Sequence, residues 1–224
     1  NNCLEAGIAC LYGPGNNIHR TPYGGRNFEY YSEDGFLSGE MSAYEVAGIQ
    51  SKGVHVVMKH FALNDSEQDR IGLGVWLNEQ AAREIYLKPF ELAVKEGGAD
   101  AVMSAFNFIG TRYAGADPGL LVQVLREEWG FRGMVLTDYF GGYGYQDADI
   151  QIRNGGDFCL APNGGNTAVL TDQSSATSIL AARQACKNIC YTTCNSRAYA
   201  TDVVLTTPTW QIVIWAVSAV LALA

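Results

Sequence analysis

Short apolar runs alternate with helical patterns along the first 200 residues, and this alternation restricts the chain to few folds. Five runs are bounded by glycine or polar residues, as buried strands are: residues 8–12, 54–58, 101–105, 134–137 and 158–160. Helical patterns lie between and after them, over residues 38–50, 78–95, 118–129, 146–154 and 175–193. Nearly continuous apolar strands that alternate with helices predict an α/β fold, with a parallel sheet covered by helices on both sides.

Two architectures satisfy that pattern, the doubly wound sheet and the (β/α)8 barrel. No GxGxxG motif follows a predicted strand, which argues against a dinucleotide-binding sheet. Polar side chains directly follow the strands instead, among them Asn16, Lys59, His60, Asn107 and Asp138. Barrels build their sites at the carboxyl ends of the strands. The sequence therefore predicts a partial TIM-type barrel, because about five of the eight strands that a barrel needs are present.

The C-terminal residues follow a different pattern. A Thr/Pro-containing stretch, residues 201–209, separates the predicted barrel domain, residues 1–200, from an uncharged apolar run over residues 210–224. A membrane-spanning helix needs roughly 20 apolar residues, and Trp210 and Trp215 suit a membrane interface. A buried barrel helix is the alternative. We expect the start of a transmembrane helix, and a membrane-anchored protein whose barrel domain lies outside the cytoplasm.

Composition excludes several classes of function. Hydrophobic residues make up 48% of the chain, and the net charge of −8 comes without a basic stripe. We therefore expect a folded protein that does not bind nucleic acid. The histidines His19, His55 and His60 lack metal-ligand spacing, so we expect no metal and no cofactor. The six cysteines contain no CxxC pair, and we expect most to be buried, including Cys186, Cys190 and Cys194 on one helix.

Five motifs stand out along the chain: Gly24-Gly25-Arg26-Asn27-Phe28-Glu29, Lys59-His60-Phe61-Ala62-Leu63-Asn64-Asp65, Leu77-Asn78-Glu79-Gln80, Ala101-Val102-Met103-Ser104-Ala105-Phe106-Asn107, and Gly130-Phe131-Arg132-Gly133-Met134-Val135-Leu136-Thr137-Asp138-Tyr139. They resemble the motifs of glycoside hydrolase family 3, in that family's order and spacing, and the resemblance covers about residues 8–200. The resemblance implies a retaining hydrolase that cleaves terminal β-linked glucosides or related short oligosaccharides through a glycosyl-aspartate intermediate.

Asp138 is the candidate nucleophile. Glycoside hydrolysis needs two carboxyl groups, one ionised and one protonated, beside the anomeric carbon. Asp138 directly follows a predicted strand; the residues alone equally allow a helix N-cap, and the resemblance implies the nucleophile. Nearby cations such as Arg26 and Lys59 would keep its carboxyl group ionised.

The resemblance implies further substrate-binding residues. Arg26, Lys59 and His60 correspond to ligands of sugar hydroxyls, and Glu29 holds Arg26 in place or is an ordinary surface carboxylate. Three apolar or aromatic positions line the sugar pocket or pack in the core: Met103, Phe106 and Tyr139. Phe106 occupies a position that is often Tyr in the family, so that hydroxyl group is lost.

Two expected parts of the family's site are missing. The family's general acid is a Glu on a separate domain, and an upstream Asp usually binds the sugar; neither has a candidate here. We therefore expect this fragment alone to be inactive, with the acid-bearing domain outside it. The alternative is a catalytically inactive, membrane-attached carbohydrate-binding protein. Activity on N-acetylglucosaminides is not expected, because Lys59-His60-Phe61 lacks the second histidine of that branch.

Overall fold

The computed structural model describes residues 2–161, 168–199, 207 and 209–223. The strands are β1 Cys10–Leu11, β2 His55–Phe61, β3 Gly74–Val75, β4 Ala101–Ser104, β5 Phe108–Ile109, β6 Arg112–Tyr113, β7 Met134–Tyr139 and β8 Phe158–Leu160. The main sheet has five parallel strands in the order β1-β2-β4-β7-β8. Three short strands, β3, β5 and β6, form a second sheet.

Helices connect and cover the strands of the main sheet. The α-helices are α1 Asn2–Glu5, α2 Gly35–Gln50, α3 Glu79–Ala81, α4 Lys88–Lys95, α5 Ala148–Arg153, α6 Ala176–Cys194 and α7 Thr209–Leu223. Two π-helical segments, Ala82–Tyr86 and Gly119–Glu128, and two 3-10 turns, Asn27–Glu29 and Ala114–Ala116, complete the described elements. The side chain of Asp34 begins α2 by accepting the backbone N–H groups of Phe36 and Leu37.

The main sheet confirms the predicted α/β fold: it is a curled parallel sheet that resembles half of a barrel. All five predicted strands are present, and each lies next to its successor in the repeat. Alternate side chains face opposite sides of a strand. Val56, Val102 and Val135 face the helix-covered core, whereas Val57 and Leu136 belong to a second apolar cluster. This arrangement brings the carboxyl ends of the strands to one edge.

The second sheet lies beyond the carboxyl ends of β2 and β4, in the segments that follow those strands. β3 pairs parallel with β5, and β5 pairs antiparallel with β6. Val75 and Ile109 pack against the main core, so this sheet is anchored at the mouth of the half-barrel.

The apolar run at the C-terminus forms a helix. Helix α7 has 15 residues, and at 1.5 Å per residue it is about 22 Å long, against a hydrocarbon core of about 30 Å. Among the residues that the structure describes, no helix is long and apolar enough to cross a membrane. The expected start of a transmembrane helix over residues 210–224 is therefore not supported. The predicted linker, residues 201–209, lies outside the described residues except for Thr207 and Thr209.

The cysteine prediction is wrong for α6. Cys186, Cys190 and Cys194 are exposed, and the other three cysteines are partly buried. Helix α6 instead turns polar residues inward: Asn188 and Thr192 are 4% and 3% exposed. The side chain of Thr192 donates to the carbonyl oxygen of Asp100 and accepts the backbone N–H of Met134. Hydrogen bonds to strand ends, rather than thiol burial, select the inner face of this helix.

Candidate active site

The predicted site residues meet at the carboxyl edge of the sheet. Lys59 and His60 belong to the end of β2, and Asp138 lies near the end of β7. Arg26 directly precedes the 3-10 turn Asn27–Glu29. The structure thus assembles Arg26, Lys59, His60 and Asp138 from three separate segments of the chain.

The contacts of His60 define its protonation. Burial, with help from Arg26, Lys59 and Arg70, holds the imidazole pKa well below its usual value, so the ring is neutral. A guanidinium N–H of Arg26 donates to Nε2 across 2.9 Å. The proton therefore lies on Nδ1, where Oδ1 of Asn17 and the hydroxyl of Tyr30 are each 3.3 Å away. His60 is a fixed, uncharged ring with a defined tautomer.

Glu29 connects the two cationic side chains. One of its carboxylate oxygens accepts the Nε–H of Arg26, and the other lies 3.2 Å from Nζ of Lys59. The hydrogen bonds and charges of Arg26 and Lys59 outweigh burial and lower the pKa of this carboxyl group. The structure supports the interpretation that Glu29 holds Arg26, and it adds Lys59 to the same network.

Asp138 has one occupied and one unoccupied carboxylate oxygen. Oδ1 accepts the backbone N–H of Tyr139 at 2.7 Å. Oδ2 is buried without a hydrogen-bond partner. Nε2 of His60 lies 3.6 Å from Oδ2, but it cannot donate a hydrogen bond because it already accepts one from Arg26. Burial raises the pKa of Asp138, and Arg70, Arg26 and Lys59 oppose that rise.

The three apolar site candidates have different environments. Met103 is 3% exposed and packs with Leu136 inside the half-barrel. Phe106 is also buried, beneath the guanidinium of Arg70, whose Cζ lies 4.7 Å from the ring centre. Tyr139 is 45% exposed at the mouth. Of the three, only Tyr139 presents an open face that a sugar ring can stack on.

Sequence reasoning missed two residues that shape the site. Arg70 is a third cation near Asp138, and its guanidinium is held by Glu67 at 3.0 Å. Asn17 fixes the backbone of His60, since its Oδ1 accepts the His60 N–H at 2.7 Å and its Nδ2 donates to the His60 carbonyl at 3.1 Å. Asn17 was visible as a polar residue after the first strand. Arg70 lies in a loop that carries no periodic pattern.

Within residues 2–161, 168–199 and 209–223, no three His, Cys, Asp or Glu side chains are grouped so that they can hold a metal ion. The site instead concentrates guanidinium, ammonium and carboxylate groups around one free oxygen of Asp138, which suits a ligand with many hydroxyl groups.

Comparison with known sequences identifies relatives of this chain. Residues 1–161 match the family model described as "Glycosyl hydrolase family 3 N terminal domain". A probable β-glucosidase J from Emericella nidulans is 43% identical over 146 residues, which is 65% of this chain and 17% of that protein. A β-glucosidase from Rhizobium radiobacter is 47% identical over 137 residues, 61% of this chain and 17% of that protein. The chain thus spans about a sixth of the length of these relatives.

Solved structures show the same fold. β-Glucosidase 3B from Thermotoga neapolitana, in complex with glucose, superimposes with a TM-score of 0.77 at 36% identity, over 88% of this chain and 28% of that chain. The β-glucosidase from Kluyveromyces marxianus, also in complex with glucose, gives a TM-score of 0.79 at 31% identity, over 92% of this chain and 25% of that chain. The motifs, the curled parallel sheet and these matches agree, and the chain belongs to glycoside hydrolase family 3.

Proposed function

We propose that this chain is the nucleophile-bearing part of a retaining β-glucosidase that acts on terminal β-linked glucosides or related short oligosaccharides. Its relatives are named β-glucosidases, and two similar structures contain glucose. The observation that carries the proposal is the carboxylate of Asp138, which lies near the end of a sheet strand, close to three cations and with Oδ2 unpartnered.

The proposed chemistry is a double displacement. The carboxylate of Asp138 attacks the anomeric carbon while the bond to the leaving oxygen breaks, and a general acid protonates that oxygen. Water then cleaves the glycosyl–Asp138 ester, and the proton returns to the acid/base residue. A nucleophile must be ionised, and the charges of Arg70, Arg26 and Lys59 favour that form against burial.

The remaining side chains orient the sugar. Arg26 and Lys59 carry only donors and suit sugar hydroxyl oxygens. His60, with Nε2 already accepting from Arg26, holds that guanidinium in place as well as lining the site. Tyr139 offers an aromatic face to the sugar at the mouth. We further propose that the general acid comes from a domain outside this chain, so that the chain alone hydrolyses no unactivated glucoside.

Replacement of Asp138 tests the proposed nucleophile in the complete protein. Asp138→Ala removes the attacking oxygen, and turnover of an aryl β-glucoside should fall by several orders of magnitude, about 1.4 kcal/mol of barrier for each tenfold loss. Azide, a small anion that fits the vacated space and attacks from the side that Asp138 occupied, should restore part of the rate and give the inverted product, an α-glucosyl azide.

The control is Asp147→Ala, because Asp147 only caps α5, where it accepts the N–H of Ile150. That variant should keep its turnover within about tenfold of the unaltered protein. An Asp138→Ala protein with near-normal turnover would exclude Asp138 as the nucleophile. A complete protein that binds glucosides and never hydrolyses them would favour the carbohydrate-binding alternative.

A further inference from the structure

The second sheet carries an exposed tryptophan, Trp76, that no step of the proposed hydrolysis uses. Trp76 directly follows β3 and is 74% exposed. Its six-membered ring lies against Gly110, close enough that a Cβ on that glycine would be 3.7 Å away. Most of the indole of Trp76 is therefore open to solvent, and its position relative to other aromatic side chains is what makes it of interest.

Strand alternation places Trp76 on a defined face of its sheet. Val75 turns inward to the core, so Gly74 and Trp76 point the other way. Gly74 is paired with Phe108, and Val75 with Ile109. Residues paired across neighbouring strands share a face, so Trp76 and Phe108 lie on the same side of the sheet, the side turned away from the core.

A series of aromatic contacts connects this face with the nucleophile. The ring of Phe108 lies 5.1 Å from that of Tyr145, centre to centre. Tyr145 is stacked on Tyr143 at 6.2 Å and 13°, and Tyr143 lies 6.5 Å from Tyr139, the residue that follows Asp138. We call the set Tyr139, Tyr143, Tyr145, Phe108 and Trp76 the aromatic strip.

The strip is partly open to solvent along its length. Tyr139 and Trp76 are exposed at its two ends, and Tyr143, Tyr145 and Phe108 between them are half-buried. The aromatic strip contains five aromatic side chains, and its length is greater than a single sugar ring can cover. Aromatic faces offer apolar stacking with little change in side-chain order.

We propose that the aromatic strip binds the distal residues of a β-linked gluco-oligosaccharide, with Trp76 as the platform farthest from Asp138. This inference rests on the proposed function for the sugar in the site, and it adds a preference for chain length. Ring contacts run from Tyr139 to Phe108, and Trp76 lies on the same face of the sheet as Phe108. This arrangement selects an oligosaccharide that already has its terminal sugar at Asp138, over a separate ligand.

Binding measurements on the 224-residue chain test this inference. No turnover is expected during these measurements, because the proposed general acid lies outside this chain. The probes are glucose, cellobiose and cellotetraose, measured by isothermal titration with unaltered protein, Trp76→Ala, Trp76→Phe and Tyr44→Ala. Tyr44 is 78% exposed on α2 and matches Trp76 in exposure. Affinity of the unaltered chain should rise with oligosaccharide length.

Trp76→Ala should weaken cellotetraose binding about three- to tenfold and leave glucose binding within about twofold. Trp76→Phe should retain most of the affinity, and Tyr44→Ala should match the unaltered chain. Equal affinity of unaltered protein for all three probes would overturn the inference, as would an unchanged cellotetraose affinity in Trp76→Ala or an equal loss for glucose. The proposed function is tested by a separate experiment, and it would be contradicted if no glycosyl group were ever found on Asp138.

Discussion

At the scale of single residues, the neutral form of His60 explains why Oδ2 of Asp138 has no hydrogen-bond partner. A protonated His60 would form an ion pair with Asp138 and occupy Oδ2. Burial and neighbouring cations keep the ring neutral, and Arg26 takes the nitrogen that faces the carboxylate. The site therefore places positive charge near Asp138 while Oδ2 makes no hydrogen bond within the protein.

Asp65 gives a prediction about pH at the same scale. Its carboxyl group is 5% exposed and accepts the backbone N–H of Ile18 at 2.6 Å. Burial raises its pKa from 3.8 to about 6. A raised carboxyl pKa means that the folded state disfavours the ionised form, so this group contributes most stability below pH 3.8 and loses that contribution as pH rises through about 6.

Asp65→Asn keeps an oxygen for Ile18 and cannot ionise. Relative to the unaltered chain, its free energy of unfolding should be similar near pH 4 and higher by up to about 3 kcal/mol above pH 7, since each pKa unit corresponds to about 1.4 kcal/mol. Urea denaturation at several pH values measures the difference. A difference that stays constant from pH 4 to 8 would contradict the raised pKa.

At the scale of elements, the sequence predicted the strands and helices that follow a clear hydrophobic period. The predicted strand over residues 134–137 is β7, which extends to Tyr139, and the predicted helix over residues 175–193 is α6. The strands β3, β5 and β6 have only two residues each, too few for a period to be visible. Trp76 and Arg70 owe their positions to those short elements and loops, and were not predicted.

The same limit explains why the prediction about α6 was wrong and why the predicted span at the C-terminus is not supported. Hydrophobicity suggested buried cysteines, whereas the inner face of α6 is selected by hydrogen bonds from Thr192 and Asn188 to groups on distant segments. Tertiary partners of that kind leave no local pattern. Apolar composition over residues 210–224 suggested the start of a transmembrane helix, and no helix among the residues that the structure describes is long and apolar enough to cross a membrane.

Thr192 gives a prediction at this scale. Its hydroxyl donates to the carbonyl oxygen of Asp100 at 2.6 Å and accepts the N–H of Met134 at 2.8 Å, which ties α6 to the start of β7. Thr192→Val keeps the shape and removes both bonds. The free energy of unfolding should fall by about 1–3 kcal/mol, as measured by urea denaturation.

The neighbouring residue provides a matched control. The hydroxyl of Thr193 bonds only within the helix, to the carbonyl oxygen of Ile189. Thr193→Val should therefore change the free energy of unfolding by about 0.5 kcal/mol or less. Equal effects of the two substitutions would show that the Thr192 hydrogen bonds do not stabilise the attachment of α6.

At the scale of the whole molecule, the proposed function makes this chain one part of a catalytic apparatus. Sequence motifs and the sheet edge assemble a candidate nucleophile with candidate sugar-binding side chains. The chain spans about a sixth of the length of its relatives. Retaining chemistry needs a second carboxyl group about 5 Å from the nucleophile. The proposed function therefore assigns nucleophilic attack on the anomeric carbon and sugar binding to this chain. It assigns proton donation to a domain outside the chain.

The most direct measurement of this account is covalent trapping of the complete protein with 2,4-dinitrophenyl 2-deoxy-2-fluoro-β-D-glucoside. The fluorine slows both steps and the good leaving group needs little acid assistance, so the glycosyl-enzyme should accumulate. Peptide mass spectrometry should then locate one fluoroglucosyl group on Asp138, and Asp138→Ala should take up none. Labelling of a different carboxylate, or turnover with no labelled intermediate at all, would contradict the assignment of Asp138 as the nucleophile.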